Sequence, residues 1–373
     1  MLFDTCRIGG IEASCRIIRS ATFEGMGPEG IPTDNLIEMY EHLADGGAGI
    51  IITGMMATNK MEPHQHNQIR IDEDACIAPL AQAVQRVHAH GGKIIAQLVV
   101  MGSAILLPET PAGESRKIFS PSGVTEKMGR MVQESQALTV DEIKELEQAV
   151  ANAAVRAQKA GFDGVQFHGA HGYLASKFLS PHFNTRTDAY GGSLENRARF
   201  LLKTIQAIRQ AVGKAYPIWV KLNCADFMKE GSFTFDESKQ VMQWLADLGV
   251  NAIEVSGGNT SSLPRKGPIR AIRRTKEPMY FKVYAAEAAA LLKDTATDVG
   301  VVGGFRTPTD MEETLEQTDL AFISMCRPFL RQPDLPKQWR GGSTEAAACI
   351  SCSRCFGAEN VDCIFNKRAK EEA

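Results

Sequence analysis

The chain has 373 residues, of which 44% are hydrophobic and 23% are charged, and its formal net charge is −3. This is the composition of an ordinary globular protein, and the weak net charge argues against nucleic acid or an anionic membrane as partner. The first residues lack the basic and apolar regions of a signal peptide, and no apolar run is long enough to cross a bilayer. We therefore expect a cytoplasmic protein.

Short apolar runs rich in β-branched residues recur along the chain and predict eight buried strands. They cover residues 16–21, 49–54, 93–98, 164–168, 218–223, 252–256, 299–303 and 320–325. The runs are continuous rather than alternating, as expected where both faces of a parallel strand are buried. Ahead of the first run, residues 7–14 predict a small hairpin with a Gly-Gly turn, placed at the bottom of the sheet structure.

Amphipathic patterns between these runs predict helices, for example at 140–160, 194–212, 236–248 and 280–293. Thr139 and Ser193 are suitable N-cap residues, and glycines follow the predicted ends. Strand and helix alternating eight times predict an α/β fold, a closed (β/α)8 TIM barrel. A doubly wound sheet is the rival architecture, but no Gly-x-Gly-x-x-Gly follows an early strand.

We expect two regions in the chain. Residues 1–341 would form the barrel, and residues 342–373 a Cys-rich C-terminal extension packed on or near it. Two long connections, 101–138 and 257–278, would lie on the catalytic face of a barrel, where long loops are often functional. The second connection is basic, which fits either a solvated surface or a contact for an anionic substrate or nucleotide cofactor.

The end of the fourth predicted strand carries His168, His171 and Tyr173 within six residues. The C-terminal ends of barrel strands are where active sites lie. Neutral imidazoles there can polarise a carbonyl or phenolate oxygen, and a phenol can deliver a proton. On spacing alone, two core histidines or a metal pair explain the motif equally well.

Several motifs, in order at successive strand ends, resemble the Old Yellow Enzyme family of FMN oxidoreductases. The longest runs from His168 through Tyr173 to Phe-Leu-Ser-Pro at 178–181 and Tyr-Gly-Gly-Ser at 190–193. The others are Arg-Ser-Ala-Thr at 19–22, Gln-Leu at 97–98, Lys-Leu-Asn at 221–223, Val-Gly-Gly at 302–304 and Cys-Arg-Pro-Phe at 326–329. The resemblance covers about the whole barrel and implies the same fold.

The resemblance implies an FMN site whose residues bind either the flavin ring or its phosphate. The ring would contact Ala21, Thr22, Gly54, Gln97 and Lys221. Lys221 would lie near N1 and the C2 carbonyl, where a cation stabilises the reduced flavin and raises its reduction potential. The phosphate would contact Gly303, Gly304, Cys326 and Arg327 after the last two strands. Cys326 stands where the family usually has glycine, which alters one phosphate contact.

The resemblance also implies the chemistry. NAD(P)H would reduce FMN, and flavin N5 would pass hydride to an activated, α,β-unsaturated alkene. His168 and His171 would anchor the substrate oxygen, and Tyr173 would donate a proton to carbon. Residues 99–101, Val-Val-Met, stand where many members carry a polar turn, which leaves the class of small-molecule substrate open.

Four cysteines cluster near the C-terminus: Cys349, Cys352, Cys355 and Cys363. Four thiols so close together favour a metal. The motif resembles the [4Fe-4S] motif of larger relatives, trimethylamine dehydrogenase and 2,4-dienoyl-CoA reductase. A [4Fe-4S] cluster, zinc and no metal all remain open, because four thiolates suit either metal.

Four functional hypotheses follow from the sequence. The first is an FMN ene-reductase that uses NAD(P)H, and the second is an Fe–S flavoprotein dehydrogenase that passes electrons to a separate partner. The third is a lyase with His168 and Lys221 as acid–base or Schiff-base groups, and the fourth a ligand-binding barrel without turnover. The ordered flavin motifs favour the first two. The sequence leaves open whether the chain forms a homo-oligomer.

Overall fold

The structure is a computed structural model that describes residues 1–102, 117–128, 131–270, 278–355 and 361–371. The strands, in chain order, are β1 Cys6–Ile8, β2 Ile11–Ala13, β3 Ile17–Arg19, β4 Ile51–Ala57, β5 Ile94–Val99, β6 Phe119–Ser120, β7 Glu126–Met128, β8 Met131–Gln133, β9 Gln136–Ala137, β10 Gly164–Gly169, β11 Ile218–Asn223, β12 Ala252–Ser256, β13 Asp298–Val302 and β14 Phe322–Met325.

The helices surround these strands. They are α1 Asp34–Asp45, α2 Ile77–Ala89, α3 Val140–Lys159, α4 Leu174–Leu179, α5 Leu194–Val212, α6 Phe235–Asp247, α7 Lys282–Leu292, α8 Pro308–Gln317, α9 Arg327–Arg331, α10 Leu335–Arg340 and α11 Ile364–Glu371. None of the helices in the described part of the chain is both long enough and apolar enough to span a lipid bilayer.

Eight parallel strands close into a barrel in the order β10-β11-β12-β13-β14-β3-β4-β5. Each pairs with the next barrel strand along the chain, and β14 pairs with β3 to close the ring. This confirms the predicted (β/α)8 barrel. The sequence placed all eight strands, with ends that differ by a few residues. The largest difference is β4, which runs on to Ala57 through a register shift between Ile52 and Met55.

An antiparallel hairpin, β1–β2, closes the lower end of the barrel. Ile8 and Ile11 are buried in one cluster with Trp219 and Phe322, which lie on barrel strands. The Trp219 indole donates a hydrogen bond of 3.0 Å to the carbonyl of Gly9. Gly9 has a φ of 52°, and a Cβ there would lie 2.4 Å from the Trp219 ring, so the turn requires glycine. The predicted hairpin is therefore confirmed as a plug.

Helix boundaries follow the capping signals in the sequence. Thr139 and Glu142 form a reciprocal capping box at the start of α3. Ser193 caps α5 by accepting from the amide of Asn196. Gly213, at the end of α5, has a φ of 83°, a conformation that favours glycine. These local signals explain why the predicted helix at 194–212 matches the observed one.

The chain after α10 returns to the catalytic end of the barrel. The amide of Ala347 donates to the carbonyl of Arg306 at 2.8 Å, and the amide of Val361 donates to the carbonyl of Glu24 at 3.0 Å. In α11, Asn366 donates to the carbonyls of Leu330 and Arg331. These contacts bring the C-terminal extension, with its four cysteines, against the loops that follow β3, β13 and β14.

Candidate functional site

A cavity of about 810 Å³ opens at the C-terminal ends of the barrel strands. Every barrel strand contributes a residue within two positions of its C-terminal end: Ser20, Met55, Gln97, His168, Lys221, Ser256, Val302 and Met325. The volume falls within the range of pockets that enclose small ligands and cofactors. The fold therefore places one large pocket where barrel enzymes hold their reactants.

The cavity collects nearly all of the site residues predicted from the sequence. They are Ala21, Thr22, Gln97, His168, His171, Tyr173, Lys221, Gly303, Gly304, Cys326 and Arg327. Among the predicted catalytic and flavin-binding residues, Gly54 is the one that does not line this cavity. It lies behind the pocket wall, where its amide donates to the Glu24 carboxylate at 3.0 Å, and a Cβ would collide with that carboxylate. The next residue, Met55, lines the cavity instead.

His168, His171 and Tyr173 form a compact aromatic group on one wall. The ring centroids of His168 and His171 are 5.1 Å apart, and those of His168 and Tyr173 are 4.6 Å apart. The amide of Ala170 donates to Nδ1 of His168 at 3.3 Å, which leaves Nε2 as the nitrogen that carries the proton. His171 Nε2 lies 2.6 Å from Ser256 Oγ. Hydrogen bonds therefore fix the orientations of both imidazole rings.

His171 has a φ of 64°, in the left-handed region that costs a side chain with a Cβ about 1–3 kcal/mol. Its amide donates to Oδ1 of Asn223 at 3.2 Å, which helps to hold this conformation. The strained turn brings both imidazoles to the same wall of the cavity. Backbone strain of this kind is concentrated at functional sites.

Burial decides the protonation states of this group. It lowers the pKa of His168 well below its ordinary value, and His171 and Lys221 add to the effect. Burial likewise lowers the pKa of His171 to about 3, again with help from Lys221. It raises the pKa of Tyr173 to about 12. At neutral pH the site therefore presents two uncharged imidazoles and a protonated phenol.

Lys221 lies on the cavity floor, where its Nζ donates to Ser20 Oγ at 2.8 Å and to Glu254 Oε2 at 2.9 Å. Gln97 donates from Nε2 to Gln166 Oε1 at 2.7 Å. Both Gln97 and Lys221 line the cavity while their partners Gln166 and Glu254 lie completely buried below. The ion pair with Glu254 therefore coexists with access of Lys221 to the cavity.

The opposite end of the cavity is built to receive an anion. Gly303 and Gly304, with φ values of 133° and 88°, lie against the Tyr280 ring, which a Cβ at either position would approach within 3.1 Å. Arg306 and Arg327 line the same end. Neither guanidinium forms an ion pair with a described residue; their partners include carbonyl and hydroxyl oxygens, such as those of Phe305 and Ser353.

The sequence analysis did not identify Arg306, although it lies only two residues after the Val-Gly-Gly motif. Burial lowers its pKa, and the positive charge of Arg327 acts in the same direction. A buried cation and a half-buried one that repel each other need an anion between or beside them. A glycine cradle with two guanidiniums therefore fits a phosphate group.

These features fit FMN. The phosphate end, the Lys221 floor and the imidazole wall belong to one cavity of sufficient size. A fixed cation at the floor suits the electron-rich pyrimidine edge of a flavin, and the two guanidiniums suit its phosphate. The residues present therefore match the cofactor that the sequence motifs imply.

The basic connection after β12 has a partly structural role. Arg270 is buried, and its guanidinium packs over the Tyr280 ring at 4.6 Å and the Phe281 ring at 4.8 Å. Its backbone carbonyl accepts a hydrogen bond from Arg327 at 2.9 Å. Arg265 is exposed. The basic residues at 273, 274 and 276 lie outside the described residues.

The four C-terminal cysteines line a second, smaller cavity beside the first. Cys355 and Arg327 line both cavities. Cys355 is buried whereas Cys352 is exposed. Among the residues that the structure describes, no three of these thiols lie within 4.8 Å of one another. The predicted cysteine group is thus brought together, with one member at the wall of the large cavity.

Comparison with known proteins identifies a family. The model of the NADH:flavin oxidoreductase / NADH oxidase family matches residues 1–345. An NADPH dehydrogenase of Halalkalibacterium halodurans is 33% identical over 344 residues, covering 90% of this chain and 93% of that protein. A metal reductase of Desulforamulus reducens is 35% identical over 383 residues, covering 100% of this chain and 54% of that protein.

Among solved structures, a 2-naphthoyl-CoA reductase in complex with 2-naphthoyl-CoA superposes with a TM-score of 0.83 at 26% identity. The match covers 93% of this chain and 53% of the reductase. The chain thus spans about half the length of several relatives that it matches.

Proposed function

The chain belongs to the NADH:flavin oxidoreductase / NADH oxidase family, and on that premise we propose that it binds FMN and uses NAD(P)H to reduce an activated alkene. The observation that carries this proposal is the cavity itself. It combines a lysine floor, two uncharged imidazoles beside a phenol, and two arginines at the far end.

The two histidines would orient the substrate. An uncharged imidazole donates through one nitrogen, and the hydrogen bond from Ala170 leaves Nε2 of His168 as that donor. A carbonyl oxygen that accepts from His168 withdraws electrons from the conjugated double bond, so the β-carbon becomes more electrophilic. Because the pKa values of both histidines are lowered, this donation does not depend on pH in the neutral range.

Tyr173 would supply the proton. Bound FMN supplies the hydride, which it receives from NAD(P)H. Tyr173 lies beside His168, within 4.6 Å between ring centroids, so its phenol can reach the α-carbon of a substrate held by that histidine. Its raised pKa of about 12 keeps the proton in place until the carbon becomes basic.

The substrate class is also a proposal. The structure of the related reductase contains 2-naphthoyl-CoA, which is a thioester of an aromatic acid. A thioester carbonyl is an oxygen that His168 could hold, as is the carbonyl of a simple enone. We therefore propose small conjugated carbonyl compounds and thioesters as the first substrates to assay.

Flavin content tests the proposed function directly. The purified protein should be yellow, release FMN on denaturation, and bleach when NADH or NADPH is added without oxygen. Adding 2-cyclohexenone should restore the oxidised spectrum. A colourless protein that takes up no FMN would rule the proposal out. A flavin that is bleached by NAD(P)H but not reoxidised by conjugated carbonyl compounds would rule out an activated alkene as the substrate.

Replacing His168 by alanine is expected to weaken binding of a phenol to the oxidised protein by about 1–3 kcal/mol, the cost of one lost hydrogen bond to a charged group. Phenolates bound against a flavin give a long-wavelength absorbance band, which allows a titration. His182→Ala, outside the residues that line the cavity, is the matched control and should leave the titration unchanged. Equal affinity in the wild type and His168→Ala would remove His168 from the site.

A second candidate function is supported by the cysteine cavity. Two sulfurs bound to one zinc ion at about 2.3 Å each can be no more than about 4.6 Å apart. In the described part of the chain no three of the four thiols lie within 4.8 Å of one another, so they do not surround a single ion in this structure. The candidate metal group is a [4Fe-4S] cluster, in which each thiolate would bind a different iron. Since Cys355 also lines the large cavity, a cluster there would exchange electrons with the flavin and deliver them to a separate partner.

A further inference from the structure

A chain of hydrogen bonds lies beneath the cavity and joins the two side chains expected at the pyrimidine edge of FMN. Gln97 donates to Gln166 at 2.7 Å, and Gln166 donates from Nε2 to Glu254 Oε2 at 3.0 Å. The same Glu254 oxygen accepts from Lys221 Nζ at 2.9 Å. Glu254 thus accepts hydrogen bonds both from Gln166, which is bonded to Gln97, and from Lys221.

Strand register creates this arrangement. Lys221 on β11 is the direct partner of Glu254 on β12, and His168 on β10 is the direct partner of Lys221. The three side chains therefore lie at one level of the barrel. Glu254 is completely buried and does not line the cavity, so it acts on a ligand only through its charge and its partners.

Glu254 carries a localised charge. Burial alone would raise its pKa, but the Lys221 ammonium outweighs burial and holds the pKa below its ordinary value. Its second oxygen, Oε1, is buried and has no hydrogen-bond partner among the residues that the structure describes. In a low-dielectric interior the field of such a carboxylate extends over several ångströms and offsets part of the field of Lys221.

We propose that Glu254 is a positioning residue that sets the reduction potential of the bound flavin by fixing Lys221 and partly offsetting its charge. The inference rests on the proposed FMN site. A lone cation at the floor would stabilise the reduced, negatively charged flavin strongly. The Lys221–Glu254 pair stabilises it less and keeps the potential lower, which makes the reduced flavin a better hydride donor.

The test is the two-electron midpoint potential of the FMN-loaded protein, measured by reduction against a dye of known potential. Glu254→Gln keeps the shape and removes the charge. We expect the affinity for reduced relative to oxidised FMN to rise about tenfold, which is about 30 mV upward for a two-electron couple. Glu254→Asp keeps the charge and should stay within about twofold of the wild type.

Asp298→Asn is the matched control, because Asp298 is a partly buried carboxylate at the plugged end of the barrel, bonded to the amide of Gly9. Its potential should equal that of the wild type. If Glu254→Gln also equals the wild type, or if the Gln and Asp variants shift alike, the role of Glu254 is overturned. Such a result leaves the proposed function standing, whereas a wild type that binds no FMN overturns both.

A double variant covers the case in which Glu254→Gln does not fold, since a buried lysine left without its acid is destabilising. Lys221→Met leaves the carboxylate alone, and Lys221→Met/Glu254→Gln removes both charges. We expect the double variant to have the higher potential of the two, because it lacks the lone carboxylate. Equal potentials in these two proteins would show that the Glu254 charge does not reach the flavin.

Discussion

Replacing Tyr173 by phenylalanine is expected to slow reoxidation of the flavin by a conjugated alkene about 10²–10⁴-fold, the usual contribution of a positioned general acid. Reduction of the flavin by NAD(P)H needs no proton from this phenol and should change little. Stopped-flow spectroscopy measures the two half-reactions separately. The substitution removes one oxygen from a buried ring, so packing against His168 is retained.

The pH dependence provides an independent check on Tyr173. Because its pKa is raised to about 12 and that of His171 is lowered to about 3, neither group titrates between about pH 5 and 10. The wild-type rate of alkene reduction should be flat with respect to these groups in that range. The control for Tyr173→Phe is Tyr216→Phe, because Tyr216 is a half-buried tyrosine that does not line the cavity. Equal loss in both half-reactions of Tyr173→Phe would contradict a proton-donor role.

Cys355→Ser is expected to abolish the iron–sulfur cluster that we propose, because a serine hydroxyl is a poor substitute for a thiolate on iron. Anaerobically purified wild type should contain about four irons and four sulfides per chain, with a broad brown absorbance beneath the flavin bands. The variant should lose most of both while it retains FMN. Of the four cysteines, Cys355 is the buried one and also lines the flavin cavity.

The control for this experiment is Cys6→Ser, in the hairpin at the far end of the barrel. Its iron content should match the wild type. A wild-type protein without iron after anaerobic purification would contradict the cluster. Stoichiometric zinc would show that the cysteines bind zinc instead, the other metal that the sequence left open. Either outcome leaves the FMN proposal intact, because the cavity does not depend on Cys355 alone.

The fold could be predicted because its signals are local. Continuous β-branched runs marked each buried strand, and caps such as Thr139 and Ser193 marked where helices begin. The aromatic wall of the cavity was equally local, since His168, His171 and Tyr173 fall within six residues. For Gly54, in contrast, only the structure shows that the Glu24 carboxylate occupies the space beside it.

The floor of the site could not be predicted in full. Glu254 is 33 residues from Lys221 in sequence, and the strand register alone makes them neighbours. One signal was present, a glutamate inside the otherwise apolar run Ala252–Ser256. Arg306 likewise followed a recognised motif, but its place beside Arg327 depends on two separate strands meeting at the same edge of the barrel.

The hairpin that seals one end of the barrel has a consequence for kinetics. In the described part of the chain, Trp219 and the β1–β2 turn close the lower end of the barrel. Ligands would therefore enter the cavity from the C-terminal ends of the strands. NAD(P)H and the alkene would then enter through the same opening and bind at the same face of the cavity. The two would not bind at the same time, so each should act as a competitive inhibitor of the other at high concentration.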